Sequence, residues 1–370
     1  MMSKTASLSI IIPNLIIMYL LFYNMQYFVG KRQFFGVSIK QDYTNMDEFQ
    51  VLSKEFKRLI TIGFVLITVM SMICIFIFDK NEFIATFSII AFVLYNFFVY
   101  INIHNKTKEL KSKLLKSSDI SDVEPSTKTI IDVKFINERD KILKKFRLIY
   151  LLPVFIVAIA CIYALSKYSQ IPSEFPNHWS ITGEADSFLE KSYSNLFINI
   201  GSHLVLIILI AIIGISSIKS RVKINPNDVE KSRSENIRYL HKTGYTFLFV
   251  LLSLVLMTTN IIISIVKGPN LNPIIMMLST LILIVSSIYL IFTYRKSPNS
   301  LPNSSYTPDD DECYWIWGSI YNNPNDPSFM VQKRFGIGWT INLGHPGGKI
   351  LFIITILILS YLIFDLIKLF

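Results

Sequence analysis

The sequence predicts an all-α, polytopic integral membrane protein with about eight transmembrane helices and both termini outside. Three observations carry that prediction. Eight apolar runs, at 8–29, 59–78, 83–103, 148–167, 196–218, 245–266, 273–294 and 350–369, each have the length a helix needs to cross the hydrocarbon core. The segments between them are alternately rich and poor in Lys and Arg: thirty of the 36 basic residues fall in loops 1, 3, 5 and 7, and basic loops stay cytoplasmic. Finally, 52% of the 370 residues are hydrophobic, far from the balance of a soluble domain this long. Barrel strands would be half the length with alternating polarity, so helices are what satisfies the backbone in lipid.

The first run contains Pro13 and Asn14 and lacks a small-x-small cleavage pattern, so it reads as a retained helix and not a signal peptide. Residues 1–147 then hold three transmembrane helices with cytoplasmic loops 30–58 and 104–147. In the first loop, Phe49, Leu52, Ser53 and Phe56 stand at helical spacing beside Lys54, Lys57 and Arg58, which predicts a short interfacial helix over 47–57. A turn at 79–82 makes the second and third helices an antiparallel pair. Loop 104–147 reads as two helical extensions around the polar tip SSDISDVEPSTK.

Residues 148–218 form a two-helix unit with a structured external loop, 169–195. Residues 219–294 add a cytoplasmic loop and a helical hairpin that turns near Gly268, Pro269 and Asn270. Residues 295–349 are a cytoplasmic aromatic domain, opening with a linker that carries Asp309, Asp310, Asp311 and Glu312; residues 350–370 are the last helix. Tyr23, Tyr27, Tyr100, Tyr150, Tyr168, Tyr245 and Tyr294 sit near helix ends, as an aromatic belt requires.

The net charge of +10 follows from this topology. It also attracts anionic inner-leaflet lipid, at about 1 kcal/mol per basic residue near the surface, which makes the bilayer the partner and argues against direct nucleic-acid binding. Cys74 and Cys161 lie in apolar runs and Cys313 in a cytoplasmic loop; without CxxC or Cys/His spacing there is neither a metal site nor a disulfide framework to expect. No GxGxxG or GK[ST] pattern supports a nucleotide, so no cofactor is expected. Within the runs, His203, Asn14, Asn96, Asn199 and Asn260 are the main polar residues, with Asp365 near an end. That scarcity of intramembrane acids and bases argues against ion-coupled transport and against an intramembrane aspartyl or metalloprotease; a Ser-His protease using His203 has no GxSx pattern to support it, and no catalytic residue is assigned.

Two segments stand out. The external IPSEFPNHWSITGEADSFLEKSYSN is a compact, turn-rich loop by its Pro172, Pro176, Trp179 and Gly183. His178, Glu184 and Asp186 can meet in it, although their spacing is not that of a helical metal motif. Either His178 and Trp179 cap the loop against the membrane interface, or the loop is a ligand- or peptide-binding lip. The cytoplasmic CYWIWGSIYNNPNDPSFMVQKRFGIGWTINLGHP has consecutive turns at Asn323-Pro324 and Asp326-Pro327, and its FGIGW glycines allow close backbone packing or an anion nest. Either its aromatics, including Phe329 and Phe335, lie in the headgroup zone, or Trp315, Trp317, Tyr321, Asn323, Asp326, Lys333, Arg334 and Trp339 form a docking surface for a cytoplasmic regulator protein. His345 reads as interfacial.

Pro176, His178, Trp179, Gly183, Asp186 and Lys191 together resemble the signature of the domain of unknown function found in SdpI-type immunity proteins. The loop FFGVSIKQDY resembles the FGVRIP-type loop of related proteins, with Ser38 and Lys40 where Arg and Pro are common, and the aromatic cytoplasmic segment resembles a second uncharacterised domain that often accompanies the first. The resemblance implies a non-enzymatic bacterial plasma-membrane protein, giving immunity to or sensing an antimicrobial peptide or envelope stress, and signalling to a cytoplasmic partner. The external peptide would then meet the six residues just named. A transporter or lipid-handling protein is the alternative, on the eight helices and intramembrane amides, and solute or lipid flux in proteoliposomes discriminates it. A membrane enzyme built on His178, Glu184 and Asp186 is a third reading, which metal analysis of the purified protein tests.

Overall fold

A computed structural model describes residues 4–29, 33–39, 45–78, 81–117, 132–179, 183–222, 224–296, 311–336 and 338–368. The first half of the 79–82 turn, the loop tip, the linker with Asp309 and Asp310, and Lys31, Arg32 and Lys40 lie outside these residues. The chain forms two compact units, Met1–Thr129 with Asn299–Phe370, and Ile130–Pro298.

In the first unit, helices α1 (Lys4–Tyr23), α2 (Asp47–Ile77) and α3 (Asn81–Ser117) pack on one another. The interfacial helix expected over 47–57 is not separate: it is the first three turns of α2. Asp47 and Glu48 suit the helix N-terminus, and no Gly or Pro interrupts the chain before Gly63. Phe49, Leu52, Phe56, Ile60 and Gly63 fall at three- and four-residue spacing on the buried face. Gly63 lies flat under Tyr95, where a Cβ would come 2.0 Å from the ring. Tyr95 Oη donates to the Leu59 carbonyl (3.0 Å) and the Ser71 and Ser88 hydroxyls meet at 2.6 Å. Small residues and interhelical hydroxyls of this kind join helices in lipid, where apolar burial alone supplies little drive. Lys4 Nζ donates to the Phe76 carbonyl (3.1 Å), so α1 begins at the end where α2 finishes.

At the other end of α2 a short hairpin, β1 (Gln33–Phe34) and β2 (Val37–Ser38), fills the loop. The aromatic segment holds two more, β5 (Trp315–Ile316) with β6 (Ile320–Tyr321) and β7 (Met330–Gln332) with β8 (Trp339–Ile341), before helix α8 (Pro346–Lys368).

The second unit contains α4 (Val133–Ser166), the antiparallel strands β3 (Glu174–Trp179) and β4 (Ala185–Glu190), α5 (Tyr193–Lys219), α6 (Val229–Lys267) and α7 (Pro273–Arg295). The boundary expected at 147 falls inside α4. Asp132 starts that helix by accepting from the Phe135 amide (3.1 Å), and the helix continues through Pro153 to Ser166. Arg233 Nε donates to the Asp132 carboxylate (2.7 Å), and this bond holds that carboxyl below its ordinary value despite its burial. The loop expected from 219 is helical from Val229 onward.

Helix α6 is the hub, packed on α4, α5 and α7. Gly244 and Gly214 make the approach possible: a Cβ would come 2.4 Å from the Phe146 ring at the first and 2.8 Å from the Tyr150 ring at the second. Tyr150 Oη closes the contact on the Gly244 carbonyl (2.7 Å). Asn260 pairs with the Asn272 backbone in both directions (3.0 and 3.1 Å), and the Asn272 side chain caps α7. Among the described residues six helices are long and apolar enough to cross a membrane, and their outward faces expose Leu66, Phe98, Leu152, Ile212 and Met277. The chain is an all-α, multi-pass membrane protein whose helices contact lipid.

Candidate functional site

The loop expected to be external is an antiparallel strand pair. Phe175 and Ile171 are buried and root it. Pro176 faces Phe188 across the ladder, and the register shifts between Pro176 and Trp179. Such a bulge accommodates a proline, which cannot donate to the ladder, and re-aims the side chain beside it. Here that side chain is His178, whose Nδ1 donates to Asp186 Oδ1 across the strands (2.6 Å). Both are well exposed, as are Glu184 and Phe188.

Two hydrogen bonds fasten the hairpin to the α6–α7 turn. Trp179 Nε1 donates to the Pro269 carbonyl (2.7 Å), and the Leu271 amide donates to the Gly183 carbonyl (2.9 Å). Gly183 has φ +87°, a left-handed conformation that glycine adopts without penalty. Lys191 Nζ donates to the Ile171 carbonyl (2.6 Å) and sits over the Tyr168 ring, which stacks on Tyr193 at 3.8 Å between centroids. Asn199, expected inside the membrane, donates to Asn177 Oδ1 of the hairpin (2.8 Å). Of the six predicted residues, Trp179, Gly183 and Lys191 therefore fix the hairpin in place, Pro176 shapes its bulge, and His178 and Asp186 present polar atoms outward. Among the described residues no three His, Cys, Asp or Glu side chains gather as a metal-ligand group. His203 is half-buried on α5.

The aromatic segment is built differently. Phe35 and Trp317 have φ +44° and +51°, and Gly36 and Gly318 follow them at +78° and +64°. Two successive positive φ angles make the tight turn that matches strand twist. The two turns meet through their glycines: a Cβ on Gly36 would lie 3.0 Å from Gly318 Cα and 2.5 Å from Tyr100 Oη. Tyr100 Oη donates to the Trp317 carbonyl (2.7 Å) while its ring stacks on Phe335 at 4.2 Å. His104 Nδ1 donates to the Phe35 carbonyl (2.7 Å), and Lys111 pairs with Glu312 (2.7 Å). Arg334 binds Asp311 and the Ser38 hydroxyl (3.1 Å) and lies over the Trp315 ring.

A second set of bonds centres on Asn342, which is fully buried. Its Nδ2 donates to the carbonyls of Asn323 (2.9 Å), Asp326 (3.0 Å) and Ser328 (3.2 Å), and its Oδ1 accepts from the Asn323 and Gly344 amides (2.9 Å each). Tyr321 Oη donates to Asp326 Oδ2 (3.0 Å) and accepts from Asn323 Nδ2 (3.1 Å); burial pushes this hydroxyl up to about 12, so it remains a donor at neutral pH. Gly344 and Gly348 leave no room for a side chain, since a Cβ would come 2.2 Å from Asn323 C and 2.0 Å from the Asn342 carbonyl oxygen.

These contacts divide the eight residues of the expected docking surface. Tyr321, Asn323, Asp326 and Arg334 are buried; the first three bond one another or the backbone and Arg334 bonds Asp311 and Ser38, so these side chains hold the segment together. Trp317 and Lys333 remain exposed, and Trp315 and Trp339 are half-buried. Asn342 and His104 were not among the expected functional residues, and Tyr100, expected in an aromatic belt, is buried. The signal for Asn342 was present in Gly344 and Gly348, two glycines that crowd one backbone stretch; Tyr100 and His104 carried none, because their partners are backbone carbonyls.

Residues 155–200, from α4 through the β3–β4 hairpin into α5, match a domain of unknown function (DUF1648), and residues 324–349, around the Asn342 bonds, match a family of unknown function (DUF5808). No curated protein and no solved structure matches the chain. The chain is thus similar to two uncharacterised domains, one in each unit.

Proposed function

We propose that this is a non-enzymatic bacterial plasma-membrane protein of the SdpI type, which senses or gives immunity to an extracellular antimicrobial peptide and signals to a cytoplasmic partner. One observation supports this reading above others. The hairpin 174–190 presents His178, Asp186 and Phe188 outward while Trp179 and Gly183 bond it to the turn of the central helix α6. Each of its two strands has one ladder partner among the described residues, so an outer edge can pair with an extended peptide. A peptide held there pulls on the turn at Pro269, and α6 runs 39 residues from that turn to Val229. The signal then has a continuous helix to follow. Deleting the gene and challenging cells with a panel of membrane-active peptides tests the reading. Sensitisation to at least one peptide, restored by the wild-type gene and not by Trp179→Ala, is expected. Unchanged sensitivity and transcription across the panel overturn it.

A further inference from the structure

We propose that Lys145, His241 and Tyr245 form a headgroup site for the phosphate of an anionic phospholipid. The three converge where α4 and α6 leave their apolar spans, the spans predicted to begin at Leu148 and Tyr245. Lys145 Nζ donates to Tyr245 Oη (2.6 Å) and lies 4.8 Å from the centre of that ring. The His241 ring lies nearby, its centroid 6.5 Å from that of Tyr245 and 6.4 Å from that of Phe146. Phe146 is fully buried and forms the floor.

The hydrogen-bond inventory is what points to an anion. With the Tyr245 oxygen accepting from Lys145, the phenolic hydrogen of this exposed side chain is left free to donate to a group from outside the described residues. The ammonium has two further hydrogens and, among the described residues, no carboxylate partner. Two other basic groups at this end of the unit do have carboxylate partners: Lys141 pairs with Glu138 at 2.8 Å and Arg233 with Asp132 at 2.7 Å. Lys242 and Lys144, both exposed, add positive charge nearby. A phosphate oxygen accepts from an ammonium, a phenol and an imidazole N–H together, and charge-assisted bonds of this kind are the strong ones. An apolar floor at the mouth of a transmembrane span fits a headgroup whose acyl chains continue down the helices, and Tyr and Lys are the side chains that settle at that depth. Basic pockets between helices at the cytoplasmic surface bind lipid headgroups by the same physics. This site is independent of the peptide-sensing reading.

The full-length protein in nanodiscs of equal phosphatidylcholine and phosphatidylglycerol provides the test, with co-released lipid counted by native mass spectrometry. Wild type is expected to retain phosphatidylglycerol over phosphatidylcholine by about fivefold. Lys145→Gln with Tyr245→Phe is expected to remove that preference, while Lys134→Gln, an equal loss of charge at the start of α4, leaves it in place; unchanged thermal unfolding shows that all three are folded. Equal loss in Lys134→Gln means diffuse charge and overturns the site, as does retention in the double variant. In pure phosphatidylcholine discs, millimolar inorganic phosphate is added to protein carrying fluorotyrosine. A saturable Tyr245 signal in that arm, without phosphatidylglycerol preference in the other, assigns the site to a soluble anion and overturns the lipid.

Discussion

The aromatic segment of the first unit and the hairpin of the second are both short β structures set among helices, and both are rich in Asn, Asp and aromatic side chains. They use those residues in opposite ways. In the aromatic segment Tyr321, Asn323, Asp326 and Asn342 bond inward, and glycines bring backbones into contact where no Cβ fits. In the hairpin the polar pair His178–Asp186 stands in solvent, and the fixed points are its bonds to the α6–α7 turn. The same residue types therefore mark a built scaffold in one place and an available face in the other. Burial separates the two, and burial is set by where the neighbouring glycines lie.

The sharpest way to break this contrast is to crowd the scaffold. Gly344→Ala places a Cβ against the Asn323 backbone, which cannot swing aside, and is expected to cost about 3 kcal/mol. Gly201, inside α5, has nothing within 4 Å of a Cβ, so Gly201→Ala should not destabilise the protein and can add up to about 1 kcal/mol of helix propensity. Thermal unfolding in detergent, followed by tryptophan fluorescence, compares the two.

Asn342→Ala comes next. It strands two buried amides and three carbonyls and is expected to cost about 2–3 kcal/mol. Measured by the same unfolding, a loss below that of an ordinary surface substitution would show that the bonds are not holding the segment.

In the second unit, the Asp132–Arg233 pair predicts a pH dependence. Because the folded carboxyl titrates below its ordinary value, its contribution is complete above about pH 4 and is lost as the pH falls through the folded value. Asp132→Asn should flatten that part of the stability curve and cost about 1–2 kcal/mol at neutral pH. The smallest effect belongs to the exposed pair. His178→Ala and Asp186→Asn should each change stability by less than about 0.5 kcal/mol, as exposed ion pairs do. If either unfolds the unit, the hairpin is scaffold after all and the contrast fails.

The helices were legible because apolar length is a one-dimensional property. The β structure was not. The turns at Phe35-Gly36 and Trp317-Gly318 lack the Asn-Gly or Asp-Gly pair that announces a hairpin, and their strands are too short for alternation to register. Pro176 disguised β3, because a proline inside a strand needs a bulge that only the partner strand reveals. The division between α2 and its first turns was invisible for the converse reason: the residues turn polar there, yet nothing stops the helix. At the candidate site, Trp179, Gly183, Asp186 and His178 were recognisable as a group. The inward facing of Tyr321, Asn323, Asp326 and Arg334 was not, since polar residues read as surface until the partner that satisfies them, Asn342 or Asp311, is placed beside them.

The sensing proposal rests on the hairpin lying outside the cell and the aromatic segment inside, as the alternation of basic loops predicts. Cysteine labelling of intact cells with a membrane-impermeant maleimide tests this most directly. In a chain carrying Cys74→Ser and Cys161→Ser, with Ser187→Cys added in β4, the exposed native Cys313 serves as the second probe. The account predicts labelling at position 187 in intact cells and at Cys313 only after permeabilisation. Labelling of Cys313 in intact cells, or protection of position 187, contradicts it.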